Sequence, residues 1–331
     1  MKIFDGPTSP TWPARLVHPH GPLFRLLPVA LRRHVLHLRA TGKWGNFRNP
    51  RTRSEKMQWR IINDRRPMVA MSCDKLASKE YAREAAAAAG LKLRIPETYW
   101  VGTDVRELQA LAARLPNRWV LKPNHSSGRY ALIDSAVEPI EWERLANVAN
   151  RWLLPDEEEQ GLGHWGYSAA RHLLFAEERV GDGSVAASVR VWTVGGVPLY
   201  FTAEGTSLPT LRLRTYNSAF KLVARPENHL NPVEFASAID HMSKNERNET
   251  AIVAAALTRD FDHQRCDLYF ENGQLWFGEF AIYPAGGLGA HLPERDKTIA
   301  ATWRLPTDPK GRLGQEHFVA LLAPHPKGTL S

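Results

Sequence analysis

Residues 265–280 read RCDLYFENGQLWFGEF. Asn272-Gly273 is the two-residue turn of a β-hairpin, with strands predicted over 265–270 and 274–280. Counting outward from the turn pairs Glu271 with Gln274 and Leu268 with Phe277. Asp267 then falls near Gly278, next to Glu279, and one bulge would set the two carboxylates side by side. Two carboxylates among Leu, Tyr, Trp and Phe repel each other and lose hydration unless a cation joins them. Hard oxygen ligands of this kind suit Mg²⁺, completed by water and phosphate oxygens. The alternative is that one carboxylate faces solvent and the other pairs with Arg265.

Upstream, residues 119–129 read WVLKPNHSSGR. A strand over 119–122 delivers Lys122, Pro123 ends the ladder, and a loop holds Asn124, His125, Ser126, Ser127 and Gly128. Small side chains let successive backbone N–H groups converge on a phosphate, to which Lys122 would add a point charge. An ordinary polar turn beside a surface lysine is the alternative. Lys75 and Lys79 lie four apart and share a helix face, which is usually a solvated one. In the stretch RHLLFAEERVGDG, 171–183, an apolar strand runs into Glu177, Glu178 and Val180. An apolar slot at a strand end followed by an acidic side chain can hold adenine and ribose, although a surface Glu-Glu pair is commoner.

The surrounding pattern mixes helices and hairpins, which indicates α+β. Residues 1–22 read as an irregular lead-in, and 23–39 as a basic helix interrupted by Pro28. A helix is predicted over 52–64, capped by Thr52 or Ser54. Another runs over 72–89, capped by Ser72, with Asp74 in its first turn and Gly90 as its stop. Gly195-Gly196 joins strands ending in 188–192 and 197–203 as a second hairpin. Residues 205–231 show no period and read as a stretch containing a mobile loop, and 232–241 and 248–258 read as helices.

Composition narrows the function classes. Of 331 residues, 43% are hydrophobic, enough for a sizeable core, and the formal net charge is +8. The arginines are spread rather than blocked, which suits anion pockets, and no nucleic-acid partner is expected. Cys73 and Cys266 do not make a disulfide scaffold. With no apolar run of spanning length and no leader pattern, a cytoplasmic protein is expected. Residues 23–39 could rest on an anionic membrane surface or pack on the main domain. Gly161-Leu162-Gly163-His164-Trp165-Gly166 fits G-x-G-x-x-G but follows an acidic loop rather than a strand, so dinucleotide binding is not indicated.

In combination these segments resemble the TupA-like branch of the ATP-grasp enzymes. Its opening signature, F-x-N-P-x-T-x-x-E-K-x-x-W, is matched by Phe47, Asn49, Pro50, Thr52, Glu55, Lys56 and Trp59. Asp74-Lys75, the VLKPNHSSG segment, the W-x-Y of Trp165 and Tyr167, FAEE, and Arg265/Asp267 with FGE follow in order. The resemblance, over about residues 42–295, implies an ATP-grasp fold in which two α+β lobes clamp a nucleotide behind a helical N-terminal region. It implies ATP and Mg²⁺ as cofactors, and Lys75 and Lys122 on the phosphates under the loop of His125, Ser126, Ser127 and Gly128. Glu177, Glu178 and Val180 match the adenine-ribose hinge, and Arg190 a phosphate contact. Asp267 and Glu279 match the metal ligands, and Arg265 the organiser of the transferred phosphate. Many ATP-grasp enzymes carry Asn where this chain has Ala281.

The implied organisation is a basic helical region (1–66), a linker with helices (67–116), a small subdomain with phosphate loop and hinge (117–180), a metal-bearing subdomain (181–300) and a tail (301–331). The implied activity is ligation of a small-molecule carboxylate to an amine through an acyl phosphate, with an amino acid and a uronic-acid-bearing glycan precursor as partners. A kinase that stops at phosphorylation and a nucleotide-binding accessory protein are the alternatives.

Overall fold

The computed structural model describes residues 1–5, 22–155, 157–181, 187–204, 213–223, 237–289 and 292–324. It contains two five-stranded antiparallel sheets. The smaller has the order β1-β4-β3-β5-β2, from β1 (Lys2–Asp5), β2 (Thr98–Gly102), β3 (Arg118–Pro123), β4 (Arg129–Asp134) and β5 (Leu174–Glu178). The larger has the order β10-β9-β6-β7-β8, from β6 (Ala187–Val194), β7 (Val197–Glu204), β8 (Leu213–Asn217), β9 (His263–Glu271) and β10 (Gln274–Ala281). This is the α+β arrangement expected. The small sheet also recruits β1 and β2 from outside residues 117–180, so the lead-in contributes a strand.

Strand alternation gives each sheet one apolar face. In β9, Cys266 and Leu268 are fully buried and meet Val189, Val191 and Phe277 in the main core. Arg265, Asp267 and Tyr269 are thereby left on the opposite face. The small sheet has its own core, in which Trp119, Leu121 and Ile133 pack on Leu108 and on Leu145 and Trp152. These come from helices numbered in chain order: α1 (Pro22–Leu26), α2 (Val29–Thr41), α3 (Arg53–Asn63), α4 (Pro67–Cys73), α5 (Lys75–Ala88), α6 (Val105–Ala110) and α7 (Trp142–Trp152). Then follow α8 (Glu157–Leu162), α9 (Trp165–Ala169), α10 (Ala238–His241), α11 (Lys244–Leu257), α12 (Pro293–Thr302) and α13 (Glu316–Leu321).

Pro28 splits the first basic helix into α1 and α2, as its missing N–H requires. Arg32, Arg33 and His37 of α2 are buried. Arg33 donates to Gln58 Oε1 (2.6 Å) and to the carbonyls of Leu162 (3.1 Å) and Gly286 (2.7 Å). Burial lowers its guanidinium to about 9. These cations therefore point into the protein rather than toward a lipid surface. Among the described residues, no helix is long and apolar enough to cross a membrane. Of the two candidate caps, Thr52 rather than Ser54 caps α3, in a reciprocal capping box with Glu55.

The single helix expected over 72–89 is two helices. Asp74 has extended φ/ψ of −95° and 107°, and its carboxylate accepts from the Ala77 N–H, so Asp74, not Ser72, is the cap of α5. The break is imposed from a distance, because Arg171 donates to both carboxylate oxygens of Asp74 (2.6 and 2.8 Å). An aspartate that satisfied leaves the helical ladder for a cap. In the stretch predicted to be patternless, β8 pairs with β7. Residues 205–212 and 224–231, and the first half of the helix predicted over 232–241, lie outside the described residues, and the second half holds α10.

Candidate active site

The bulge foreseen in the terminal hairpin lies between Phe277 and Glu279, and it brings Glu279 opposite Asp267. Position 278 admits only glycine without movement, since a Cβ there would sit 2.8 Å from the Asp267 carbonyl oxygen and 3.1 Å from the Tyr269 ring. On the other side of β9, Asp267 faces Arg190 of β6. Arg190, Asp267 and Glu279 thus form one row across three strands. Arg265, two residues along β9, donates from Nε to Asp267 Oδ1 (2.7 Å) and from Nη2 to Oδ2 (2.6 Å).

The ion-pair reading holds for one of the two carboxylates. Asp267 does pair with Arg265, while Glu279 makes no hydrogen bond or ion pair with a described residue. Burial and the nearby Glu279 push the Asp267 carboxyl above its ordinary range, against the pull of Arg265. Burial and the mutual repulsion of two carboxylates both disfavour the charged pair, and a divalent cation relieves both. Among the described residues, no three His, Cys, Asp or Glu side chains cluster as a metal cage. Two carboxylates completed by water and phosphate fit Mg²⁺, which keeps several such ligands.

Three lysines approach from the small sheet and α5. Lys122 donates to Glu177 Oε1 (2.5 Å), and Lys79 to Glu177 Oε2 (2.9 Å) and Thr98 Oγ1 (2.7 Å). Burial alone would raise the Glu177 carboxyl, but Lys122 and Lys79 outweigh it and hold it at about 2. Glu177 in turn keeps Lys122 charged despite burial, raising it above the usual lysine value, and the charge of Glu279 adds to this. Lys75 donates to the Ser126 carbonyl, and burial lowers its ammonium against the opposing charge of Glu279. Lys75 and Lys122 are thus both within electrostatic reach of the acidic row.

The loop after Lys122 is anchored by Asn124. Its Oδ1 accepts from the Leu76 N–H (2.8 Å), and its own N–H donates to the Leu173 carbonyl (2.8 Å). Beyond it, the backbone N–H groups of His125, Ser126, Ser127 and Gly128 donate to no described acceptor. His125 Nδ1 and Ser126 Oγ are buried without a hydrogen-bond partner among the described residues. His125 stacks on His172, ring centroids 3.8 Å apart, and burial with this neighbour lowers it to about 4, so the ring is neutral at pH 7. A run of unused donors at a strand end is an anion cradle. At the predicted hinge, Glu178 Oε2 accepts from the Glu97 N–H (3.1 Å), and half-buried Val180 lies just beyond β5.

His172 and the pairing of Asp74 with Arg171 are site features that sequence reasoning passes over, and Lys79 reads there as a solvated side chain. The spacing of Lys79 from Lys75 was a signal, but a shared helix face does not reveal that the face is buried.

Comparison with known proteins gives the family. No curated protein matches the chain. A structure of the ATP-grasp ligase PsnB with its minimal precursor is 12% identical, with a TM-score of 0.36, covering 77% of this chain and 62% of that one. This chain therefore spans less than two thirds of that ligase. The D-alanine–D-alanine ligase of Bacillus anthracis is 11% identical, with a TM-score of 0.40 and coverage of 78% and 68%. D-cycloserine synthetase DcsG is 15% identical, with a TM-score of 0.37 and coverage of 78% and 71%. The TupA-like ATP-grasp family profile matches residues 55–301, which take in most of α3, the lysines, the loop and the acidic row, and the chain belongs to that family.

Proposed function

We propose that the protein is an ATP-dependent carboxylate–amine ligase. The observation that carries this is a row of Arg190, Asp267 and Glu279 on the large sheet whose Glu279 charge reaches Lys75 and Lys122, with Lys75 bonded to the loop that holds the free donors of residues 125–128. A nucleotide's phosphates need such a cradle, and its transferring phosphoryl group needs both signs of charge around it. Mg²⁺, held by Asp267 and Glu279, would neutralise the phosphate oxygens. Lys75 and Lys122 bind the phosphates, Glu177 keeps Lys122 charged, and Glu178 with Val180 bounds the adenine-ribose end. Arg265, fixed by its two bonds to Asp267, orients the transferred group, with Arg190 beside it.

A substrate carboxylate oxygen attacks the terminal phosphorus, the bond to ADP breaks, and an acyl phosphate forms. The amine nitrogen then attacks the carbonyl carbon, phosphate leaves with the C–O bond pair, and the nitrogen gives up a proton. On this proposal the partners are an amino acid and a uronic-acid-bearing glycan precursor, in surface-polysaccharide synthesis. The buried free thiols of Cys73 and Cys266 support a reducing, cytoplasmic setting.

Asp267→Asn and Glu279→Gln should each abolish ATP turnover while leaving the apo protein folded, because shape is kept and charge is lost. ADP release in hydroxylamine should yield a hydroxamate from the acyl phosphate. ADP release without hydroxamate would point instead to a kinase. Variants that melt early yet turn over ATP normally would make the pair structural and end the ligase assignment.

A further inference from the structure

A groove of about 980 Å³ lies outside the phosphate site, between α2, α3, the turn of Pro284–Gly287 and α12. That volume is at the upper end of the about 300–1,000 Å³ of small-molecule sites. Lys43, Arg51 and Lys297 line it, all three are exposed, and none makes an ion pair with a described residue. Its two acidic side chains are already engaged. Glu55 accepts from the N–H groups of Asn46, Arg51 and Thr52, and Asp296 accepts from Arg53 (2.6 Å). Four cations, Lys43, Arg51, Arg53 and Lys297, line the groove against two carboxylates, so its lining is net positive. Arg53, also in the lining, is 3% exposed, and its Nη1 has no hydrogen-bond partner among the described residues.

Trp44 lines the same groove and is 59% exposed. It stacks on His34 (4.6 Å, 3°), which stacks on Phe47 (4.1 Å), so the indole is braced from behind. A braced indole face in a polar groove suits the C–H face of a sugar ring, whose partial positive charge meets the negative π-face. The inner wall of the groove backs onto the phosphate site through the buried Trp192. The Arg53 guanidinium lies 5.7 Å from the Trp192 ring, and that of Arg265 lies 6.0 Å from the same ring. One indole thus separates the groove's buried cation from the arginine that holds Asp267.

We infer that this groove docks an anionic sugar chain that brings one of the two reacting groups to the acyl-transfer site. The inference rests on the ligase proposal for its purpose but not for its geometry. A nucleic acid would call for several aromatic faces interleaved with a basic track, whereas here a single exposed indole faces one cation cluster.

Titration of the full chain with tetragalacturonate tests the inference, with neutral maltotetraose and a thymidine hexanucleotide as comparison ligands. Tetragalacturonate should bind, maltotetraose should bind at least about tenfold more weakly, and the hexanucleotide should not exceed tetragalacturonate. The Arg51→Glu/Lys297→Glu double variant and Trp44→Ala should each weaken tetragalacturonate by about tenfold or more, with the affinity for ADP and Mg²⁺ unchanged. Tetragalacturonate binding that ignores both variants would overturn the inference. So would tetragalacturonate failing to bind a chain that binds ADP normally, or a hexanucleotide that binds more tightly. If ADP fails to bind while tetragalacturonate binds in a Trp44-dependent way, the ligase proposal falls and the groove stands.

Discussion

Glu177 accepts from two lysines, and that one carboxylate decides how the phosphate side behaves. Removing one lysine leaves the other to neutralise Glu177, whereas removing Glu177 leaves the buried Lys79 and half-buried Lys122 ammonium groups facing each other. Breaking a buried pair from that side costs about 3–5 kcal/mol. Lys122→Met should therefore weaken ADP binding by about tenfold or more with only a small shift in the melt, since its apolar stem is kept. Glu177→Gln should instead destabilise the apo protein by about 3 kcal/mol or more in urea unfolding. Unchanged ADP affinity in a well-folded Lys122→Met protein would remove Lys122 from the phosphate site. The pH dependence has a definite sign. Glu177 is held at about 2, down from 4.5, so its contribution is complete above pH 4.5 and is lost as pH falls toward 2. Glu177→Gln should flatten the stability profile in that window. Lys122 was readable from its strand and loop, but its partners were not, because a buried ion pair has no local sequence signature.

The terminal hairpin shows how an element's geometry becomes a site. Asn272, at φ 51°, and Gly273, at φ 71°, make the turn, and Gly278 makes the bulge that brings Glu279 to Asp267. These two glycines are required for different reasons, and alanine separates them. Gly278→Ala places a methyl group against the Asp267 backbone, and relieving that contact displaces Glu279. It should cost about 1–3 kcal/mol and reduce ATP turnover at least tenfold. Gly273→Ala meets nothing within 4 Å and suffers only from its positive φ. It should cost about 1 kcal/mol and leave turnover intact. Equal turnover in the two variants would show that the bulge does not set the carboxylate pair. The pairing was legible because turn type and alternation fix register within a few residues. The break at Asp74 was not, because it depends on Arg171, which no spacing along the helix reveals.

At the scale of the whole molecule, one buried carboxylate ties the N-terminal helices to the rest. Asp262 accepts from Arg60 (2.6 Å), Arg66 (2.8 Å) and the Trp303 indole N–H (2.7 Å), joining α3, the approach to α4 and the end of α12 ahead of β9. Arg60 and Arg66 hold its carboxyl at about 2 against burial. This contribution is present above the usual aspartate value of 3.8 and is lost as pH falls toward 2. Asp262→Asn should destabilise the protein by about 3–5 kcal/mol at pH 7 and by much less at pH 2, with unchanged ADP affinity in the folded fraction. Urea unfolding at the two pH values checks this, and a gap that stays constant would assign the loss to packing rather than charge. Sequence by itself determined the two hairpins, the Pro28 break, the Thr52 cap and the facing carboxylates. Each depends on backbone preferences and side-chain periods acting over a few residues. Tertiary structure alone decided that Lys79 and Lys122 share Glu177, that Arg33 turns inward, and that Asp262 gathers two arginines. Lys79 and Glu177 are 98 residues apart, and Arg33 and Gly286 are 253 apart. A buried charge takes whichever opposite charge or carbonyl the fold brings within about 3 Å, so its partner exists only after the elements have packed.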